Sequence, residues 1–445
     1  MKITIVGAGR VGVHLAKYFS NEHQDVYLVD KDAEKLSILD ADFNMRTFVG
    51  EPTDFNVLRE ANAETADVFA AVTADTEDNL VACAMAKSMG ARLTIARVER
   101  YDFMDPANAA VVSRMGVDRI VYPELLAAQT VINALEHPWC RSWDDFDNEA
   151  ILLTAVSINS HAPIVGHKLK ELSADNSNFH ISALRRDNKT IIPRGDDYVI
   201  ENDILYFTSV PSAIDRVMEL CGKSDFNIKN VLIMGGSKIA EIIDKIAPRK
   251  YSLILIEKDR MKCRTLAENC NSCSIIYGDA SERDVLEEAG ISKCDAFVAL
   301  SNITEGNILA CITAKEARVR RTIAEIEKEQ FIDKGESFGI GTIINKPIIT
   351  ANAIFQLILD SDTDTKRCFA MTHAEVARLE IREDSFLTSA PVKDLKLPRE
   401  LTFAGLIRNN EGFIVNGETR FRGGDQVIVF CMNGALNIVE KLFSK

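Results

Sequence analysis

Two segments of this chain repeat one another, and this repeat constrains the fold more than any other feature of the sequence. Residues 50–91 align without gaps on residues 278–319, with 15 of 42 positions identical and an offset of 228. Self-similarity over such a length predicts that the chain contains two copies of one structural unit. At 445 residues, the chain is long enough for each copy to have its own core.

The first copy opens with a pattern that is typical of a nucleotide-binding turn. Residues 2–6 are an apolar run that predicts a buried parallel strand, and glycines in the spacing GxGxxG follow it. Such glycines turn the chain sharply, let the backbone approach a pyrophosphate and pack the next helix against the strand. The candidate contacts in this turn are Gly7, Gly9, Val11 and Gly12.

A carboxylate stands where a sugar contact is expected. The apolar run 25–30 predicts a second strand, and it ends at Asp30, 18 residues after Gly12. An acid at this place can accept both ribose hydroxyls, which favours NAD or an adenosine ribose over a 2′-phosphate. Strand, glycines, helix and acid in this order predict a Rossmann unit rather than an ordinary glycine turn.

The second copy keeps this pattern in altered form. The offset of 228 carries the three motif glycines to Gly235, Ser237 and Ala240, while Gly236 remains and Glu257 takes the place of the acid. A serine side chain would crowd the close approach of backbone to pyrophosphate. We therefore expect a weaker or differently selective second site.

A smaller module follows each Rossmann unit. Short β-runs broken by Pro, Gly, Asn and Asp predict α+β modules, each closed by a helix, near 211–221 and 433–443. Polar stretches at 137–149 and 360–367 separate the modules from the Rossmann units. The predicted fold class is α/β, with two Rossmann-like parallel-sheet domains that are each followed by a small α+β domain. The predicted domains are 1–136, 150–222, 228–359 and 370–445.

Composition narrows the class of protein. A formal charge of −14 and a pI near 5.1 argue against a nucleic-acid groove. No apolar stretch approaches the roughly 18 to 20 residues that cross a bilayer, and residues 1–19 already form strand and turn, so we expect a cytoplasmic protein without a signal peptide. Ten scattered cysteines suit a reducing compartment, and the pair Cys270 and Cys273 lacks the further ligands that a zinc site needs.

Catalytic chemistry is not apparent in the sequence. Seven histidines form no catalytic set, and GxSxG, HExxH and P-loop motifs are missing. A dehydrogenase would need a substrate domain that brings an acid or base to the nicotinamide. We therefore expect the nucleotide to act as a regulatory ligand and not as a reactant in catalysis. An NAD(P)-dependent oxidoreductase and a nucleotide sensor for some other transporter remain the alternatives.

Further candidates follow the strands of the first copy. Arg10 places a positive charge at a helix N-terminus, where it could contact a phosphate or remain a solvated surface arginine. Thr73 and Asp75 follow the apolar run 68–72, at the edge where parallel sheets bind ligands, although an ordinary polar loop would look the same. Arg97 is a further candidate phosphate contact, but the second copy has a glutamate at that position.

These motifs together resemble a known family. The segments "GAGRVG", "GEPTD" and "GDASE", and "TADTEDN" and "SNITEGN", with Asp30, are similar to the RCK (KTN) nucleotide-binding domain. The segments "APIVGHKL" and "IIPRGDDYVIENDILYF" resemble its C-terminal companion domain. The resemblance covers nearly the whole chain, and its specificity lies in the doubled order of the two domains.

The resemblance also implies site residues. Gly50 and Glu51, at the turn after the third strand, would lie along the adenine edge. By the same resemblance, the second copy adds these candidate contacts: Gly235, Gly236, Ser237, Glu257, Gly278, Asp279 and Ser301. Glu124 matches a position near which some relatives place a cation, and an ordinary acid in the first turn of a helix explains it equally well.

The resemblance finally implies a regulatory role. RCK domains assemble into rings beneath a membrane ion-conducting subunit, and NAD(H), ATP and ADP act as regulatory ligands that change the shape of the ring. We therefore expect a homo-oligomer, a tetramer of two-RCK chains, beside a potassium-conducting membrane subunit of the Trk type. Predicted amphipathic helices at 122–137 and 345–360 could pair with another copy or simply pack in the core.

Overall fold

The computed structural model describes residues 1–42, 45–146, 149–172, 178–187, 189–270, 272–359, 367–370, 374–395, 397–432 and 443. The chain divides into two compact units. The first comprises Met1–Gln129 and Asn345–Asp362, and the second comprises Thr130–Ile344 and Thr363–Lys445.

The first unit contains a six-stranded parallel sheet. Its strands are β1 (Lys2–Val6), β2 (Asp25–Asp30), β3 (Arg46–Val49), β4 (Val68–Ala71), β5 (Leu93–Arg97) and β6 (Arg119–Val121). They lie in the order β3-β2-β1-β4-β5-β6, which is the order of a Rossmann sheet. The central strands β1 and β4 are buried except at Lys2, since helices cover both faces of such a sheet.

Helices follow the strands of this sheet. They are α1 (Arg10–Asn21), α2 (Ala33–Asp42), α3 (Phe55–Glu60), α4 (Thr76–Met89), α5 (Ala109–Arg114) and α6 (Pro123–Glu136). Helix α6 confirms the predicted helix at 122–137. The strand order reverses between β1 and β4, so ligands are expected at the carboxyl ends of these strands.

The second unit begins with an antiparallel sheet. Its elements are β7 (Ser142–Phe146), β8 (Ile151–Ser157), α7 (Leu169–Leu172), β9 (Phe179–Arg186), β10 (Lys189–Ile191), β11 (Ile204–Ser209) and α8 (Ile214–Leu220). The strands lie in the order β10-β9-β11-β8-β7. Helix α8 confirms the closing helix of the first module. Strand β7 lies within the stretch 137–149 that the sequence predicts as a polar separator.

The second Rossmann sheet repeats the first strand for strand, in the order β14-β13-β12-β15-β16-β17. Its strands are β12 (Asn230–Met234), β13 (Ser252–Glu257), β14 (Cys273–Tyr277), β15 (Ala296–Ala299), β16 (Arg321–Glu325) and β17 (Thr342–Ile344). Its helices are α9 (Lys238–Ile246), α10 (Arg260–Asn269), α11 (Arg283–Glu288), α12 (Thr304–Glu316), α13 (Ile332–Ser337) and α14 (Lys346–Leu359). The duplication predicted from the sequence is confirmed.

Helix α14 packs in the first unit, although it follows the last strand of the second Rossmann sheet. Its Phe355 ring lies 4.4 Å from the ring of Tyr18 and 5.3 Å from that of Phe19, both on α1. These contacts bury part of the apolar face of α14 against α1. The predicted alternatives for this helix are pairing with another copy and packing in the core. Core packing within the chain therefore accounts for the part of its apolar face that lies against α1.

A second antiparallel sheet completes the second unit. Its strands are β18 (Arg367–Ala370), β19 (Ala374–Glu380), β20 (Leu401–Arg408), β21 (Glu411–Ile414) and β22 (Gln426–Met432), in the order β18-β19-β22-β20-β21. The helix predicted near 433–443 lies outside the described residues, apart from Phe443. One face of this sheet packs on the first antiparallel sheet through a shared core that includes Tyr206 and Phe430.

Among the described residues, no helix is both long enough and apolar enough to cross a bilayer.

Candidate nucleotide-binding sites

The first glycine turn joins β1 to α1. Gly7 has φ +105°, and a Cβ there would lie 2.9 Å from the backbone nitrogen of Thr73, while a Cβ on Gly12 would lie 1.9 Å from the Gly7 oxygen. Both positions therefore require glycine. At Gly9, in contrast, an added Cβ would meet no atom within 4 Å. The space beside Gly9 is open, so the packing of the chain does not explain this glycine.

Asp30, at the end of β2, is bound to the same turn. Its Oδ2 accepts a hydrogen bond from the backbone N–H of Ala8 at 2.5 Å, and its Oδ1 accepts one from that of Asp32 at 2.9 Å. A carboxylate has about four acceptor sites, so both oxygens can still receive hydroxyl donors. Asp30 thus lies beside the glycine turn, as the Rossmann pattern predicts.

The remaining candidates of the turn differ in exposure. Arg10 is exposed, and Val11 is buried in the core, so Val11 could contact a ligand only through its backbone. Gly50 donates from its N–H to the carbonyl oxygen of Asp30 at 3.0 Å, which brings the turn after β3 to the site. Glu51 next to it is exposed.

A buried asparagine connects the ends of β4 and β5. Asn79 accepts hydrogen bonds from the backbone N–H and the hydroxyl of Thr73 at 2.9 and 2.8 Å. Its amide donates to the carbonyl oxygens of Thr73 at 3.1 Å and Arg97 at 2.9 Å. Asp75 caps α4 by accepting from the N–H of Asp78 at 2.9 Å. Thr73 and Asp75 therefore lie at the carboxyl edge of the sheet, where they were predicted.

No motif in the sequence points to Asn79. Asn307 makes the same four contacts in the second copy, with Ser301 and with the carbonyl oxygen of Glu325. The repeat could have pointed to both asparagines, since Asn79 and Asn307 are one of the identical pairs in the aligned segments.

Arg97 is paired within its own loop. Its Nη2 lies 2.8 Å from Oε1 of Glu99, and its side chain is 20% exposed. In the second copy Glu325 occupies the equivalent place and is buried. The two copies thus differ in charge at this position, as the sequence indicates.

In the second copy the candidates line one cavity of about 470 Å³. The predicted residues that line it are Gly235, Gly236, Ser237, Glu257, Gly278, Asp279 and Ser301. Glu257 repeats the arrangement of Asp30: Oε2 accepts from the N–H of Gly236 at 2.7 Å and Oε1 from that of Asp259 at 2.8 Å. The structure therefore brings the whole predicted set of the second copy together.

Apolar and charged groups complete this cavity. Ile303 and Leu309 line it and are 49% and 64% exposed, which gives a planar base an apolar surface. The backbone N–H and hydroxyl of Ser281 hold the pKa of the Asp279 carboxyl below its usual range. Asp279 therefore stays ionised at neutral pH.

Ser237 changes the helix N-terminus in the second copy. Its Oγ accepts from the backbone N–H of Ala240 at 3.4 Å, so it caps α9, whereas Gly9 gives α1 no side-chain cap. A capping hydroxyl engages a donor that a bound phosphate could otherwise use. The serine thus differs from Gly9 in hydrogen bonding as well as in bulk.

The candidate cation position at Glu124 has a basic neighbour. Its Oε1 lies 3.8 Å from Nζ of Lys346. Among the described residues, no group of three or more His, Cys, Asp or Glu side chains could hold a metal ion. The structure therefore brings no acidic cluster to Glu124, and none to the pair Cys270 and Cys273.

The fold and its sites define a class: a tandem of Rossmann sheets of the RCK type, each followed by an antiparallel sheet. The TrkA-N domain model matches residues 3–123 and 231–346, and the TrkA-C domain model matches residues 153–222. The chain therefore belongs to the TrkA-N domain family.

Relatives of similar length align with this chain from end to end. The chain is 26% identical to the Trk system potassium uptake protein TrkA of Azorhizobium caulinodans, over 100% of this chain and 98% of that protein. It is 28% identical to the TrkA homolog 1 of Methanosarcina mazei, over 100% of both.

Solved structures share the fold. The GsuK RCK domain superposes with a TM-score of 0.61 at 16% identity, over 99% of this chain and 94% of that one. The GsuK channel bound to NAD superposes with a TM-score of 0.60 at 16% identity, over 99% and 78%. These likenesses establish the RCK fold over the whole length of the chain.

Proposed function

We propose that this chain is the nucleotide-binding regulatory subunit of a potassium uptake system, and that it catalyses no reaction by itself. The observation that carries the proposal is the doubled site, in which a carboxylate at the end of the second strand holds a glycine turn, at Asp30 and again at Glu257. Full-length relatives named as Trk potassium uptake proteins support the same role.

The ligands we propose are NAD(H), ATP and ADP. Open space at Gly9 suits a pyrophosphate, and the free lone pairs of Asp30 suit the hydroxyls of an unphosphorylated ribose. The apolar wall of Ile303 and Leu309 suits a base in the second site. GsuK structures bound to NAD and to ADP, which share the fold, are consistent with both ligand types.

At the first site, we propose that the glycine turn with Arg10 holds phosphates, Asp30 the ribose, and Gly50 and Glu51 the adenine edge. The carboxyl edge of the sheet would add Thr73, Asp75 and Arg97. At the second site, the seven residues that line the cavity near Ser237 would play the corresponding roles.

The partner we propose is a membrane potassium-conducting subunit, with the chain at the inner face of the plasma membrane as a closed ring of identical copies, a tetramer. Regulation requires that a nucleotide bind two shapes of the ring unequally, because equal affinity would shift no population. A coupling of about 1 to 3 kcal/mol would change flux several-fold or more.

Reconstitution with the potassium-conducting subunit tests this proposal. Potassium flux into vesicles is measured with ATP, ADP, NAD or NADH and with the unmodified chain. We expect at least one nucleotide to change the flux, and Asp30→Ala to weaken its effect. A chain that stays monomeric, does not bind the membrane subunit and leaves flux unchanged with every nucleotide would contradict the proposal.

A further inference from the structure

A second cavity, whose lining has seven basic and five acidic side chains, lies in the second unit, between the first antiparallel sheet and the second Rossmann sheet. It has a volume of about 930 Å³, and we call it the arginine cavity. Arg141 and Lys223 enter its wall from the segments that flank the antiparallel sheet, and Arg321 enters from the first position of β16. It shares no lining residue with the nucleotide cavity around Ser237.

Arg321 is buried with little compensation for its charge. It is 5% exposed, and its Nη2 donates to the hydroxyl of Thr342 at 2.6 Å. Its Nε is buried and has no acceptor among the described residues. A Cβ on Gly341 would lie 2.8 Å from its Nη1, so the guanidinium packs directly against this glycine. A buried guanidinium with one neutral partner is costly unless an anion joins it.

Three of the five acids that line the cavity, Asp203, Asp333 and Glu336, are paired with arginines, and Asp203 is paired with Arg186. Oε1 of Glu336 lies 3.1 Å from Nη2 of Arg141, and its Oε2 is bound by Arg185, which also binds Asp333. Within the described ranges, Arg321 and Lys223 have no ion-pair partner. Burial lowers the pKa of Lys223, and the charges of Arg141 and Arg321 lower it further. Positive charge at this wall therefore exceeds the negative charge that faces it.

The Rossmann fold does not require this cation. The position equivalent to Arg321 in the first copy is Leu93, the first residue of β5, which is buried. The same strand position therefore accepts a leucine in one copy and has a buried arginine in the other. The charge in the second copy needs a reason other than the fold.

We propose that the arginine cavity binds a small anion that carries phosphate groups. Guanidinium groups match phosphate oxygens in geometry and charge, and burial strengthens the pairing. Arg320 adds a further cation at the cavity, where it lies 3.7 Å from the ring centre of Phe226. Because Arg141 directly precedes the first antiparallel sheet and Arg321 begins a strand of the second Rossmann sheet, the bound anion would strengthen the contact between these two sheets.

Inorganic pyrophosphate is the probe, and calorimetry on the full chain is the measurement, with the nucleotide sites first saturated by ADP. We expect pyrophosphate to bind the unmodified chain and to raise its unfolding temperature. Arg321→Leu, which installs the residue of the first copy, should weaken pyrophosphate binding about tenfold or more and leave ADP binding unchanged. The control Arg283→Gln removes an equal charge from an arginine whose side chain is 86% exposed.

Three outcomes would overturn the proposal: no binding of pyrophosphate to the unmodified chain, equal binding by Arg321→Leu, or an equal loss in Arg283→Gln. Without any anion, Arg321→Leu should unfold at the same or a higher temperature, because it removes an uncompensated buried charge. Should Arg321→Leu fail to fold, Lys223→Gln tests the same cavity, and undiminished binding of pyrophosphate by that variant would equally overturn the proposal.

Discussion

The backbone N–H of Gly236 donates to Oε2 of Glu257 at 2.7 Å. In the first copy the N–H of Ala8 makes the same bond to Asp30. The carboxylate at the end of the second strand therefore holds the glycine turn in both copies, even though one acid is a methylene longer than the other. Its loss should affect both the shape of the turn and the proposed contact with a sugar.

Asp30→Ala should weaken binding of NADH or ATP at the first site by an order of magnitude or more. The substitution removes the proposed acceptors for two ribose hydroxyls, and each hydrogen bond to a charged group contributes about 1.5 to 3 kcal/mol. Titration calorimetry measures the effect. Asp25→Ala, at the exposed start of β2, is the control. Unchanged affinity in Asp30→Ala would remove this residue from the site.

Exchanging Gly9 and Ser237 tests the asymmetry of the two sites. Gly9→Ser should lower nucleotide affinity at the first site, because its side chain would fill the open space beside the turn. Ser237→Gly should raise affinity at the second site and cost only a few tenths of a kcal/mol in helix capping. Binding stoichiometry and affinity are measured together. Two equal, independent sites in the unmodified chain would contradict the expected asymmetry.

Asn79→Ala should destabilise the first unit by about 2 to 4 kcal/mol, since it leaves several partly buried backbone groups of Thr73 and Arg97 without this partner. Asn307→Ala should have a similar effect in the second unit. Urea denaturation followed by circular dichroism measures both. The control is Asn56→Ala, at an exposed position on α3. If Asn79→Ala were no more destabilising than this control, the network would not hold the strand ends.

Stability should fall as the pH is lowered from about 6.5 to 4. Burial lowers the pKa of His180 to about 4, whereas an unfolded chain binds that proton near pH 6.5. Below pH 6.5 the histidine of the unfolded chain is protonated first. The free energy of unfolding therefore decreases with falling pH until His180 of the folded chain is protonated as well. His180→Gln should flatten this part of the profile, and His161→Gln, at an exposed position, should not. Equal urea midpoints for the unmodified chain at pH 7 and 5 would contradict the expectation.

Patterns along the chain predict the Rossmann elements well, because their signals are local. Buried parallel strands appear as short apolar runs, and the glycine turn at Gly7 has the GxGxxG spacing that Rossmann units use between strand and helix. Strand β7 is not predicted by such patterns, since it is an edge strand in which Asp144 and Asp145 are exposed. Asn79 is not predicted for another reason: its four hydrogen bonds join the ends of two different strands, β4 and β5.

The sequence by itself determined the duplication, the two glycine turns and the acids that end the second strands, because each depends on residues close together in the chain. Only the tertiary structure decided that α14 packs on α1, and that Arg141 and Arg321 meet in one cavity. These contacts join segments far apart in sequence. An apolar helix face or a charged residue is visible in the sequence, but whether it is buried, and what covers it, is set by how the sheets pack.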